Sequence, residues 1–413
     1  MRQKERHYLA RPRPKPRGAN SETARDINRS LVLSAIRTGQ PVSRADLARQ
    51  TGLQRSTVSL IVEQLMKERW VVGGGVGQLP RGRKPWLLTL NIEKAGIIGI
   101  NVMPRITTMV LADLNTTFRS QESFATTDEP RGLITALAER IRRLMEAHPE
   151  TTFEAIGVSL PGRVDRFTQR LVFAPNLGWR DVDLKAPLER ATGLPVSVEN
   201  AANACALSEV WSGPLAGVQD LIAVTVSEGI GTGIIANGHL VRGPSGAAGE
   251  FGHVCLDPDG PPCKCGSRGC WEVYASNSAA VRAYNEGMQA DPESPVRRRK
   301  RQAFASVRDF SDLLSLADRG DVTAGEVLDR MGRYLGLGLA MLVNGLAPSV
   351  VSIVGEVTRV WKRIGPIIHR AVEERARTHA VTRIVATDDI LQPRLRGTVA
   401  LVLQKHFQPY MLS

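Results

Sequence analysis

Residues 246–272 read GAAGEFGHVCLDPDGPPCKCGSRGCWE. Four of the chain's five cysteines fall inside this stretch, with His253 among them and Glu250 and Glu272 near its ends. So dense a cluster admits four readings: a disulfide knot, a redox site, a catalytic metal or a metal staple. The loop is rich in Gly and Pro and carries little apolar surface of its own, so it needs a cross-link to hold one conformation. Cys263, Cys265, Cys270 and His253 make a Cys₃His set, the tetrahedral soft-donor group that Zn²⁺ prefers. Four protein ligands leave no position for an activated water, which points to a structural metal and not a hydrolytic one. Cys255 is expected to be a small buried residue outside the set, with a place as substitute ligand the alternative.

The remaining composition bounds the choice. The chain has 413 residues, 42% hydrophobic and 23% charged, ordinary values for a soluble protein of two or three domains. No apolar run is long enough to span a membrane, and the N-terminal MRQKERHYLARPRPKPRG lacks the apolar core of a signal peptide. The expectation is a reducing cytoplasm, where disulfides and redox pairs are disfavoured and a metal is the better use of the cysteines.

The net charge of +13 is unevenly spread. Residues 1–91 hold 18 Lys and Arg against 6 Asp and Glu, whereas the rest of the chain carries 36 against 35. A polyanion-binding module joined to a neutral domain is the simplest cause. Residues 1–20 read as a basic flexible tail. Within 21–91, Ile27, Leu31 and Ile36 fall near helical spacing. Ser43 with Asp46 forms a capping-box pattern, and Gly52 suits a sharp turn between two short helices. The following helix buries Val58, Ile61, Val62 and Leu65 and turns Arg55, Ser56, Thr57 and Ser59 outward, as a recognition helix would. VVGGGVGQLPRGRKPWLLTLN then reads as two strands and a Gly-rich wing tipped with Arg81, Arg83 and Lys84. Operator DNA is the expected partner, with Arg44 added to the contact set from the start of the helix after Ser43. The bland alternative is a three-helix interaction domain with a solvated basic face. The RRRKR run at 297–301 reads as exposed surface, with a contribution to DNA binding the alternative.

From residue 92 to 413, β-rich runs alternate with amphipathic helices, which predicts an α/β fold with mixed sheets covered by helices. Here the sequence resembles the ROK family (repressors, open reading frames, kinases). Gly-His, nine residues, Cys-x-Cys-Gly, two residues, Gly-Cys-x-Glu is similar to that family's signature, and SLPGRVD, APNLGW and ENAANACALSE resemble its sugar-site segments in the expected order. The resemblance covers roughly residues 92–410. It implies a winged helix-turn-helix followed by a two-lobed, actin-like sugar-kinase domain, with the Cys₃His set as zinc ligands. It also implies a sugar pocket lined by Asn200, Glu250, His253 and Glu272 and closed by Gly162 and Asn176.

The chain departs from the kinases of that family in three places. Where they carry Asn-Asp, the Asp deprotonating the attacking hydroxyl, this sequence has Asn200-Ala201, and a methyl group accepts no proton. Their opening phosphate cradle, Asp-x-Gly-Gly-Thr, is replaced in GINVMPRITT by a segment with Asn101 and Pro104. Their paired glycine near the adenosine is Gly355-Glu356 here. No catalytic residue is therefore expected. The expectation is a cytoplasmic, sugar-responsive DNA-binding repressor with a structural zinc, acting as a homodimer or homotetramer. A sugar kinase with an added DNA-binding arm is the alternative, and a zinc sensor is a third reading.

Overall fold

The computed structural model describes residues 21–76, 86–289, 307–376, 382–388 and 392–407. The N-terminal tail, the wing residues Arg81, Arg83 and Lys84, and the RRRKR run lie outside these residues. The chain divides into two compact units, residues 1–91 with 404–413, and residues 92–403.

In the first unit, helix α1 (Ser21–Gly39) is followed by β1 (Val42–Ser43), α2 (Arg44–Thr51), α3 (Arg55–Lys67), β2 (Val71–Val76) and β3 (Trp86–Leu90). The capping box forms as its residues require: the Ser43 hydroxyl accepts from the Asp46 amide, and the Asp46 carboxylate accepts from the Ser43 amide. Gly52 ends α2 at φ 70°, a left-handed turn that a side chain would strain. Val58, Ile61, Val62 and Leu65 of α3 are buried, the inward face expected from their spacing. The strands pair in the order β1-β3-β2.

The inward face of α1 differs from the expected one. Val32, Leu33 and Ile36 are buried, whereas Ile27 and Leu31 are 45% and 42% exposed. The helix is rotated because Val32 and Leu33, adjacent in sequence, seal the core beside Ile36. Residues 404–407, the described part of the C-terminal segment, also belong to this unit and not to the 92–403 unit. The carbonyls of His406 and Phe407 accept from the Ser30 and Ser34 hydroxyls, and the His406 ring lies 4.5 Å from that of Trp70.

The second unit holds two five-stranded mixed sheets. The first is built from β4 (Ala95–Val102), β5 (Ile106–Ala112), β6 (Phe118–Ala125), β7 (Thr152–Leu160) and β11 (Val196–Asn200), in the order β11-β7-β4-β5-β6. Helix α4 (Pro130–Ala147) lies between β6 and β7 in the chain and buries Leu133, Leu137 and Ile141 in this core. A small sheet of β8 (Arg163–Val164), β9 (Leu171–Ala174) and β10 (Trp179–Val182), with α5 (Lys185–Thr192), completes that half. Helix α6 (Ala201–Trp211) follows β11 directly, and every residue from Ala202 to Glu209 is buried. Its small side chains permit close approach. A Cβ at Gly233 or Gly397 would collide with the α6 backbone.

The second sheet runs β14-β13-β12-β15-β16, from β12 (Leu221–Val226), β13 (Ile230–Ala236), β14 (His239–Leu240), β15 (Val350–Val354) and β16 (Arg383–Thr387). Helices α7 (Glu272–Ala275), α8 (Asn277–Gln289), α9 (Phe310–Asp318), α10 (Val322–Leu346), α11 (Trp361–Glu373) and α12 (Pro393–Phe407) are the remaining α-helices among the described residues. Both sheets combine parallel strands with an antiparallel hairpin, the α/β arrangement expected from the alternating pattern. The apolar stretch 334–346 lies within α10, a core helix, and no described helix is long and apolar enough to cross a membrane.

Candidate functional site

The cysteine-rich loop leaves the second sheet through a 3₁₀ turn at Glu250–His253. It closes on itself by two isolated bridges, Cys255 with Cys270 and Pro262 with Arg268. Gly269, at φ 61°, packs so closely on the Asp257 carbonyl that a side chain would not fit. The loop is anchored at its exit by Trp271, fully buried, whose Nε1 donates to the Tyr334 carbonyl over 2.8 Å. The indole lies on Gly338 of α10, where a Cβ would collide with the ring.

This folding brings one donor atom each from His253, Cys263, Cys265 and Cys270 within 4.8 Å of one another. Cys263 Sγ is 3.6 Å from His253 Nδ1, and Cys265 Sγ is 3.7 Å from Cys270 Sγ. A tetrahedral ion with bonds of about 2.0–2.3 Å has edges of roughly 3.3–3.8 Å, so the donors fit such an ion in type and spacing. All five cysteines are free thiols. Burial pushes the Cys263 and Cys270 thiols up, so in the absence of a cation they are neutral. A bound cation reverses that preference and holds them as thiolates. Cys255 stands outside the set, and it is exposed, not buried as expected: its short bridge to Cys270 leaves its side chain on the loop surface.

A cavity of about 450 Å³ opens beside the cluster, lined by Gly162, Asn176, Asn200, Glu250, His253 and Glu272 together. These six residues come from five separate segments. His253 is the shared wall: its Nδ1 faces Cys263, and its Nε2 lies 3.7 Å from Glu250 Oε2. Glu272 is also shared. Its Oε1 is 3.1 Å from Cys263 Sγ and 3.5 Å from His253 Nδ1, while Oε2 accepts from the Ile230 amide at 3.4 Å. Gly229 leaves room for that carboxylate, since a Cβ there would strike Glu272 Oε2. Burial raises the Glu250 carboxyl, opposed by the nearby His253 and Arg163 charges.

Asn200 has a structural duty that sequence alone did not separate from ligand contact. It caps α6, its Oδ1 accepting from the Ala202 and Asn203 amides while its Nδ2 donates to the Gly162 carbonyl over 2.6 Å. Beneath it lies an ion pair that sequence reading missed. Glu199 Oε2 accepts from Arg242 Nε over 2.7 Å, and Glu199 Oε1 accepts from the Asn200 amide and Asn203 Nδ2 at 2.9 and 3.0 Å. The partners are 43 positions apart and only 8% and 14% exposed. Alternation along β11 puts Glu199 on the face opposite the core residues Val196 and Val198, so nothing local pointed to its burial or to its partner.

Ala201, Arg163, Lys264, Glu228 and Arg394 also line the cavity. A second cavity of about 700 Å³ adjoins it and shares Asn101, Met103, Glu228 and Arg394. Its wall includes Glu356, which follows Gly355.

In the first unit, Arg55 and Ser56 are exposed at the start of α3, and Thr57 and Ser59 are half-buried. Gln54 makes no side-chain cap, so the first-turn amides of α3 stay open to an anion. Arg44 is half-buried at the start of α2, and its Nε has no hydrogen-bond partner among the described residues.

The ROK family profile matches residues 97–405. The xylose repressor of Bacillus subtilis (strain 168) is 35% identical over 336 residues, 81% of this chain and 83% of the relative. A ROK family transcriptional regulator described as a homologue of the E. coli MLC protein superposes with a TM-score of 0.81 at 23% identity. It covers 94% of this chain and 99% of its own. A ROK family glucokinase from Streptomyces griseus, solved with glucose and AMPPNP, gives a TM-score of 0.67 at 30% identity, over 75% of this chain and 99% of its own.

Proposed function

The chain belongs to the ROK family, and on that premise we propose that it is a sugar-responsive transcriptional repressor without kinase activity. One observation carries the reading: a helix-turn-helix unit shares the chain with a cleft lined by Asn176, Asn200, Glu250, His253 and Glu272, and the residue after Asn200, where the resemblance puts the kinases' proton-abstracting Asp, is Ala201. Such a cleft binds without reacting. Glu250, Glu272 and Asn176 offer the paired acceptors and donors that adjacent hydroxyls need, and His253 adds a ring nitrogen on the same wall. Asn200 holds the frame as much as it contacts ligand.

This reading assigns DNA contact to Arg44, Arg55, Ser56, Thr57 and Ser59, and to Arg81, Arg83 and Lys84, which lie outside the described residues. Two units in a homodimer, or in paired dimers, meet half-sites about one helical turn or a multiple apart. The protein works in the cytoplasm, where its operator is. His253, Cys263, Cys265 and Cys270 would hold a Zn²⁺ ion that cross-links the loop and leaves no ligand position open. Its consequence for the cleft is indirect, through the placing of His253 and Glu272.

The test is binding of the full-length protein to its own upstream region against scrambled duplex at physiological salt. A panel of sugars and sugar phosphates follows, beginning with xylose and glucose. A preference for the upstream region, altered by one sugar and weakening steeply with salt, is expected. Equal binding to both duplexes refutes the repressor. Sustained ATP-dependent phosphorylation of any sugar in the panel refutes the loss of catalysis.

A further inference from the structure

The outward face of α3 carries one side chain whose chemistry does not match its exposure. Leu60 is 67% exposed, the largest value for any large apolar side chain in the first unit's described residues. It is the sixth residue of α3. With Ser56, Ser59 and Glu63 it forms a set spaced i, i+3, i+4 and i+7 from Ser56, which is one stripe along the helix. That stripe faces away from the buried Val58, Ile61, Val62 and Leu65, so folding of the unit makes no use of Leu60. No other large apolar side chain of α3 is exposed, and the other exposed residues of this helix are charged or polar. A lone leucine ringed by polar groups offers a protein partner little area.

Major-groove DNA supplies what such a side chain recognises. Base edges there present hydrogen-bond donors and acceptors and a single apolar group, the 5-methyl of thymine. Residues in the first two turns of a recognition helix are those that reach base edges. We propose that Leu60 reads the 5-methyl of one thymine in each half-site and is a specificity-determining residue of the DNA interface. The proposal rests on the repressor reading above. Ser56 and Ser59 hydrogen-bond with any of several bases, so the leucine narrows a choice that its neighbours leave open.

The test begins with selection of bound sequences from a random duplex library by the full-length protein. Each thymine of the enriched site is then replaced singly by deoxyuridine, which removes the methyl and nothing else. Affinities are measured for the wild type, Leu60→Ala and Leu60→Met. Because the side chain is exposed, all three should melt alike. Burying about one methyl against an apolar side chain predicts a loss of roughly fourfold to tenfold for the wild type at one thymine per half-site. Leu60→Ala should bind the parent site that much more weakly and be indifferent to the same methyl. Leu60→Met, which keeps an apolar tip, should retain the methyl preference.

If Leu60→Ala loses the same factor as the wild type when the methyl is removed, or if no thymine is methyl-sensitive, the proposal is overturned and the repressor reading stands. If the library enriches no sequence, the repressor reading falls and this proposal falls with it.

Discussion

Replacing Glu199 by alanine should be among the most damaging single changes outside the metal loop. The substitution removes the carboxylate between Arg242 Nε and the Asn200–Asn203 turn, and three hydrogen bonds go with it. Arg242 is then a cation only 14% exposed that has lost its carboxylate partner. Removing one partner of a buried pair costs about 3–5 kcal/mol, most of it the penalty on the charge left behind. For a unit of this size that is a fall in melting temperature on the order of 10 °C. The consequence for the cleft follows from geometry. Arg242 opens the segment that leads to Glu250, its carbonyl accepting from the Ala248 amide, and Asn200 loses the bond that holds its backbone. Sugar response should weaken in Glu199→Ala, while metal content stays at the wild-type level.

The double variant Glu199→Ala/Arg242→Met removes the stranded charge and keeps the aliphatic stem, so it should recover about half of the lost stability. Urea denaturation of the three proteins, read together with metal content, measures both quantities. A loss below about 1 kcal/mol in the single variant, or a double variant no more stable than the single, refutes the pair as the support of the cleft.

Glu250→Gln keeps shape but turns a two-bond acceptor into an amide. Sugar affinity should drop about tenfold to a hundredfold by calorimetry, with metal content and ligand-free operator affinity unchanged. Cys265→Ser should lower the bound metal measured by elemental analysis and weaken sugar response, yet leave operator binding in place as long as the dimer persists. His406 gives a pH dependence to the first unit: burial pushes its imidazole down to about 4 from 6.5, so it folds neutral. Its contribution is complete above pH about 6.5 and is lost as pH falls toward 4. By pH 4.5 the wild type should lose about 2–3 kcal/mol that His406→Gln does not, and identical urea midpoint shifts in the two proteins would count against this.

The parts of the molecule legible in sequence are those set by short-range geometry. The capping box at Ser43, the Gly52 turn and the buried face of α3 each depend on residues within a few positions of one another. The four metal-type ligands lie within eighteen residues on a loop whose glycines allow it to close, so their spacing carried the site. Charge asymmetry between the two units is a property of composition and survives any folding.

Only the tertiary structure decided which groups lose water together. Glu199 and Arg242 read as ordinary charges until the fold brings them together with little exposure. Ile27 and Leu31 share helical spacing with Ile36, but the packing of Val32 and Leu33 turned them outward. The last turn of α12 joins the first unit across more than 370 positions, through Ser30 and Ser34. Hydrogen-bond geometry within a turn is written locally, whereas desolvation depends on what distant segments bring, and burial decided each of these cases.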